Sequence, residues 1–345
     1  MARRLYRASF ALTPIVLVAR YALHANGAVV FVLASAALTP LAFLIGEATE
    51  NLAEHTGPGV GGFVNASFGN APELIIGLFA IRNALPDVVR ATIAGSVVAT
   101  ALIVLGVAIV YGGGGTVDRR SLGLQVVVLV AAVCLFLVPS VPGWHGDPDR
   151  HGLYLVTIPV AAALLLLYVL ATGHNLRVHW TAPRSGPSEQ TWSMRATLLA
   201  LTVATVATAF VADVLVGSLT AFGERLGLSQ FFVAAVIVAL VGNAAEHGGA
   251  IVTAHRGHPE LAAEIAVSSA TQVAVFVAPA LALLSGLVGR GLPLAFRPVE
   301  IATMAGAAVG VFLVIFDARA RRWEGFALLG GYAACVVAYW FAGDG

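Results

Sequence analysis

Gly69-Asn70-Ala71-Pro72-Glu73 and Gly242-Asn243-Ala244-Ala245-Glu246 are one short pattern written twice, 173 positions apart (Asn70 to Asn243), each inside a long apolar stretch. A charged residue within a membrane span costs roughly 2.5–3.5 kcal/mol on insertion scales, so a carboxylate there marks a function rather than packing. Two of them in matching frames imply one site assembled from two halves. That is the pattern of a secondary transporter built from internal repeats, with a cation site near the bilayer midplane.

The surrounding chain fits a membrane setting. Of 345 residues, 59% are hydrophobic and 11% charged, against about 25% charged in soluble domains. A span needs about 20 apolar residues. Eleven are predicted, at 8–24, 28–49, 61–82, 87–111, 121–140, 152–173, 194–221, 230–254, 259–285, 297–316 and 324–342. The expected fold is an all-α integral membrane protein of eleven transmembrane helices. Residues 1–27 carry an extra N-terminal helix, 28–173 a first five-helix repeat, 174–193 a polar inter-repeat loop with Pro183, Gly186 and Pro187, and 194–345 a second five-helix repeat. An odd number of spans per repeat inverts the second copy in the membrane. The first span is short and holds Arg20, but shows no small-residue cleavage site and is read as retained.

Net charge is +1, which gives no sign of nucleic acid as a partner. All 19 basic residues are arginine. With loops on alternate sides, Arg3, Arg4, Arg7, Arg119, Arg120, Arg177, Arg184, Arg195, Arg256, Arg319, Arg321 and Arg322 share the side of the N-terminus. Arg82, Arg90, Arg150, Arg225, Arg290 and Arg297 fall on the other. That bias predicts a cytoplasmic N-terminus and an external C-terminus, and short tails point to a prokaryotic cytoplasmic membrane. Cys134 and Cys335, both inside predicted spans, are read as small buried hydrophobes. The glycines at 112–115 are read as a turn, since no Gly-Lys-Ser/Thr follows them.

On a helix, positions i and i+3 share a face. Asn70 with Glu73, and Asn243 with Glu246, therefore each set an amide oxygen beside a carboxylate. Hard cations suit such a set, Ca²⁺ taking about 6–8 oxygens from carboxylates, carbonyls and water. Gly69 and Gly242 tolerate local unwinding, and Pro72 removes a helical hydrogen bond, so backbone carbonyls are expected to contribute. A desolvated carboxylate pair is least costly when one Ca²⁺ or two protons balance its charge. Exclusion between the two loads gives exchange of Ca²⁺ for protons, with no cofactor beyond the transported ions. Further into each half, Gly95-Ser96 and Ser268-Ser269 open the next span; small residues there let helices approach closely.

Leu41-Ala-Phe-Leu-Ile-Gly-Glu47-Ala-Thr-Glu50 and Gly61-Gly-Phe-Val-Asn65-Ala-Ser67-Phe-Gly-Asn70-Ala-Pro-Glu73 resemble the first signature of the calcium/proton exchanger (CAX) family, within the cation/calcium antiporter superfamily. Val241-Gly-Asn-Ala-Ala-Glu246-His247, then Ser268-Ser269-Ala-Thr-Gln272, resembles the second. The resemblance implies a five-plus-five inverted repeat and a calcium/proton antiporter working by alternating access. It assigns Glu73 and Glu246 as the shared cation and proton site, with Asn70 and Asn243 as the motif asparagines. Gln272 matches a polar residue of the adjacent span and His247 the histidine of the family pattern, while Ser67, Ser96, Ser269 and Glu50 are read from the sequence itself as neighbours of the site or of its pathway. Three departures stand out: Pro72 where the family usually has Thr or Val, Thr100 where the first half often has Asn, and no acidic segment between the halves.

Other readings are weaker. His255 and His258 lie eight or more positions from His247 rather than in a His-Glu-x-x-His frame, which disfavours a membrane metalloprotease, and no enzyme is expected. Glu47, Glu50 and Glu54 recur at helical spacing, either as a solvated helix end or as a cation-attracting vestibule. Glu300 and Asp317 are read as interfacial or structural. Mn²⁺, Mg²⁺ and Na⁺ remain alternative cargoes, and a passive channel is the alternative from a different class. Oligomeric state is open.

Overall fold

The computed structural model describes residues 11–113, 115–116, 119–144, 151–179, 192–317 and 319–343. The polar linker between halves lies largely outside these residues, as do Arg3, Arg4, Arg7, Arg150 and Arg184.

Helix α1 (Ala11–Ala22) ends in a π-helical turn at Val18–Ala22. Then come α2 (Gly27–Phe68), α3 (Ala71–Arg82) and α4 (Pro86–Gly112, with a π-turn at Thr100–Val104). Strand β1 (Gly115–Thr116) precedes α5 (Arg119–Gly143) and α6 (Tyr154–His179). The second half holds α7 (Met194–Leu226), α8 (Gln230–Gly242), α9 (Ala244–His255), α10 (Pro259–Leu287, with a π-turn at Val273–Val277) and α11 (Pro298–Ile315). Strand β2 (Arg319–Ala320) and α12 (Arg322–Ala342) complete it.

Among the described residues, eight helices are long and apolar enough to cross a membrane. The bent pair α8–α9, kinked by 58°, forms a ninth such segment. Helix covers most of the described part of each predicted span, but the first is met only by the 12-residue α1 and the third is divided between α2 and α3, and one expectation is corrected. The loop expected between 49 and 61 is absent, because α2 runs unbroken through it to Phe68, and the break comes at Gly69-Asn70. Pro58 does not end the helix. Only the glycine-asparagine pair, followed by a proline that fits the first turn of a new helix, stops it.

Helix boundaries repeat between the halves. Helices α3 and α9 have 12 residues each, and Pro86 and Pro259 occupy the first position of the helix that follows. The corner residue before each proline-led helix is left-handed, Ala84 (φ 59°) in one half and Gly257 (φ 88°) in the other. The π-turns at Thr100 and Val273 keep the same separation of 173 positions as Asn70 and Asn243.

Burial sorts the helices. In α4, 83% of the apolar window is buried and in α10 67%, against 17% in α12. Helices α4 and α10 therefore form the centre, while α12 turns apolar residues such as Val337 and Phe341 outward. At the centre Gly95 touches the carbonyl of Ala235, an approach that only a residue without Cβ permits. Helices α2 and α7 pair along their lengths, with Phe31 stacked on Phe222. A second cluster joins them to α3 through Leu44, Ile45, Ala48, Ala71, Leu201 and Ala204.

Three residues depart from their expected settings. Cys134 is exposed on α5, and Cys335 is half-buried on α12, packed against the core. Arg90 is not a loop charge but fully buried in α4. Its guanidinium meets Asp87 at 2.6 Å and donates to the Pro293 carbonyl at 3.1 Å.

Candidate cation-binding site at the paired helix breaks

Both copies of the repeated pattern interrupt a helix. Asn70 (φ −88°, ψ 13°) and Asn243 (φ −90°, ψ 17°) adopt nearly the same non-helical conformation, and the glutamates fall in the first turns of α3 and α9. A helix N-terminus carries unpaired N–H groups and a partial positive charge, which favours a carboxylate in its first turn.

The breaks lie against each other. Glu73 is 4% exposed, and its Oε1 stands 3.5 Å from the point a Cβ on Gly242 would occupy. The first glutamate thus rests on the backbone of the second break, the break that carries Glu246 in the first turn of α9. Neither carboxylate oxygen of Glu73 has a hydrogen-bond partner among the described residues, and the same holds for Oδ1 of the fully buried Asn243 and Oγ of Ser269. A buried polar group left unsatisfied costs about 1–3 kcal/mol, and more if charged. Oxygens without partners beside a second carboxylate suit a hard cation or protons.

Side chains around the breaks tie the halves together. Asn243 Nδ2 donates to Ser96 Oγ at 2.8 Å, which leaves Oδ1 as its available acceptor. Asn70 Nδ2 donates to Gln272 Oε1 at 3.0 Å, and Gln272 Nε2 donates to Ser268 Oγ at 3.0 Å. Of the polar residues expected near the breaks, Ser96 and Gln272 bond to the motif asparagines, and not symmetrically. Asn243 uses the serine of the opposite half, whereas Asn70 uses Gln272 in place of Ser269. Ser67 is half-buried near the end of α2. Glu50 is exposed, with Glu47 half-buried and Glu54 exposed along the same helix.

His247 Nε2 pairs with the hydroxyl of Thr100 at 3.1 Å. Thr100 stands in the sequence only as a departure from the family pattern, and its partner is visible only in three dimensions. The position equivalent to Thr100 in the other half is Val273, and that equivalent to His247 is Leu74, so this contact has no counterpart. Glu300 and Asp317 lie away from the breaks. Buried Glu300 accepts the Arg297 N–H at the start of α11, while exposed Asp317 pairs with Arg321 at 2.9 Å. A cavity of about 290 Å³ sits elsewhere, at the end of the molecule lined by Asp87, Phe231 and Arg297. The sequence signal that could have separated Arg90 from the loop arginines is Asp87, three positions earlier, at the start of an apolar span.

Exposure differs between the two breaks. Asn70 through Glu73 are buried, whereas 244–249, including Glu246 and His247, are half-buried. The α9 side of the site is the more open one. Helix α9 leads to the end of the molecule where His255 meets Tyr111 and where Trp192 bonds to Asn51.

The family model for sodium/calcium exchanger proteins matches residues 26–176 and 196–341. A Ca²⁺/H⁺ antiporter, ChaA, of Bacillus subtilis (strain 168) is 33% identical over 333 residues, covering 92% of this chain and 93% of that protein. The vacuolar calcium ion transporter of Schizosaccharomyces pombe is also 33% identical, over 92% of this chain and 80% of its own length. Among solved structures, native YfkE superposes with a TM-score of 0.84 at 29% identity, covering 98% of this chain and 99% of that one. An H⁺/Ca²⁺ exchanger CAX, 15% identical, shares the fold with a TM-score of 0.74 over 99% of this chain and 92% of its own.

Proposed function

The chain belongs to the sodium/calcium exchanger protein family, and from that premise we propose that it is a calcium/proton antiporter working by alternating access. The observation that carries the proposal is the partnerless carboxylate of Glu73 lying against the second helix break. Glu73 and Glu246 bind either the cation or protons. Asn70 and Asn243 supply amide oxygens, with backbone carbonyls freed at the breaks. The relatives that are calcium/proton antiporters at about this identity support the choice of ions.

The exchange follows from charge. Two neighbouring carboxylates out of water are tolerated when one Ca²⁺ or two protons neutralise them, and the doubly charged pair is disfavoured. The carrier therefore crosses loaded with one or the other, at two protons per calcium in an electroneutral cycle. The matching helix boundaries support two five-helix repeats over 28–173 and 194–345, inverted about an axis in the membrane plane, with 1–27 as an extra helix. The arginine bias supports a cytoplasmic N-terminus and an external C-terminus, and the proposed setting is calcium efflux across a prokaryotic cytoplasmic membrane.

The test is ⁴⁵Ca uptake into proteoliposomes with an imposed proton gradient, repeated with Mn²⁺, Mg²⁺ and Na⁺ as competitors. Uptake against the calcium gradient that collapses when the pH gradient is dissipated is the expected result. Calcium flux that only ever runs down its own gradient would mean a channel and would overturn the proposal.

A further inference from the structure

Two loops more than 200 residues apart in sequence are joined at one end of the molecule. Strand β1 pairs antiparallel with β2, Gly115 opposite Ala320 and Thr116 opposite Arg319. This brings the exposed Arg119 and Arg120 at the head of α5 beside the exposed Arg319, Arg321 and Arg322 before and at the head of α12. Arg322 lies along the backbone of Gly113, whose left-handed φ of 81° turns the chain out of α4. Arg119 sits over the ring of Phe316, 5.5 Å from its centroid. The acidic side is thin. Asp317 pairs with Arg321, the Arg321 N–H donates to Glu324, and even with Asp118 of the sequence the arginines outnumber acidic residues five to three.

The depth of this cluster is fixed by helix length. Helix α12 has 21 residues from Arg322 to Ala342, close to the roughly 20 that cross the hydrocarbon core. Arg322 must then stand at headgroup level. Phe316, Trp323 and Phe326, each about 60% exposed, flank it as interfacial aromatics do. Guanidinium groups bind phosphate oxygens in bidentate fashion, and basic residues at a membrane surface attract anionic lipid.

We propose that Arg119, Arg120, Arg319, Arg321 and Arg322, gathered by the β1–β2 pairing, form a binding site for the phosphate headgroup of an anionic phospholipid, with Trp323 and Phe316 against its glycerol and upper acyl region. The orientation argued above puts that lipid in the cytoplasmic leaflet. The site does not depend on transport, and is tested without it. The full chain in detergent is titrated with phosphatidylglycerol or phosphatidylcholine, and bound lipid is counted by native mass spectrometry.

Phosphatidylglycerol should occupy the site at a concentration at least about tenfold lower than phosphatidylcholine. The Arg319→Gln/Arg321→Gln/Arg322→Gln variant should lose that preference, and the corresponding Arg→Lys variant, which keeps charge without the bidentate fork, should retain part of it. Arg225→Gln/Arg290→Gln, exposed arginines at the opposite end, should leave it unchanged. Equal binding of the two lipids, loss of preference in the opposite-end control, or its survival in the triple Gln variant each overturns the proposal. Should the triple variant not elute as folded protein, an Arg→Lys variant with undiminished preference overturns the bidentate assignment. Inorganic phosphate displacing phosphatidylglycerol at equal concentration would reassign the site to free phosphate.

Discussion

At the scale of single residues, the site rests on two glutamates that differ in setting. Glu73 is buried, with no hydrogen-bond partner for its carboxylate among the described residues, while Glu246 is half-buried on the open side. Replacing either by Gln keeps the shape and removes the titratable charge. Glu73→Gln and Glu246→Gln should each abolish proton-driven calcium transport while the protein still elutes as a folded particle in detergent. Substantial exchange by either variant would remove that glutamate from the mechanism. Thr100 is the residue the structure adds. Thr100→Val keeps the branched volume but takes from the half-buried His247 Nε2 its 3.1 Å partner, a hydrogen bond worth about 0.5–1.5 kcal/mol. Transport should fall, its pH profile should change shape, and Thr100→Ser should restore both. A Val variant with the wild-type pH profile would reduce Thr100 to packing.

At the scale of elements, two positions set how the helices meet, and they predict effects of opposite sign. A Cβ on Gly95 would collide with the Ala235 carbonyl, so Gly95→Ala should destabilise the protein by ~1–3 kcal/mol. Ala84 holds a left-handed conformation that its counterpart Gly257 adopts without strain, so Ala84→Gly should stabilise by ~1 kcal/mol. Gly123→Ala, in open space inside α5, is the steric control and should gain up to about 1 kcal/mol from helix propensity alone. Thermal stability in detergent, read by size-exclusion after stepwise heating, orders the three. If Gly95→Ala were no less stable than Gly123→Ala, α4 and α8 would not touch there as described. Small residues at 95 and 96 were legible in the sequence as points of close approach. The partner was not, because no local pattern says that the α8 backbone will cross at Gly95.

At the scale of the whole molecule, the open α9 side and the shared charge of the pair set two expectations. Gly249 faces open space, so a Cys there is tolerated and reachable. With Cys134 and Cys335 replaced, Gly249→Cys should react with a membrane-impermeant thiol reagent in everted vesicles but not in right-side-out cells, and calcium should slow the reaction. Labelling only from the cell exterior would reverse the proposed orientation. Competition for one carboxylate pair also predicts that calcium affinity falls as pH drops. Calcium binding should then release close to two protons when the empty site starts fully protonated, counted by calorimetry in buffers of different ionisation enthalpy. Binding that is indifferent to pH and releases no protons would point to separate cation and proton sites.

The sequence by itself determined the membrane setting, the positions of the apolar spans, the duplicated break and the two glutamates within it. Those are local properties, written in hydropathy, in Gly-Asn and Pro punctuation, and in the anomaly of a carboxylate among apolar neighbours. Only the tertiary structure decided which groups answer each other across the halves: Asn243 with Ser96, Asn70 with Gln272, His247 with Thr100, Arg90 with the Pro293 carbonyl. It also decided that α2 continues past residue 50, and that five arginines from two distant loops share one edge. A side chain's partner depends on how helices cross. That geometry is set by many close approaches such as Gly95 on Ala235, each acting between residues far apart along the chain.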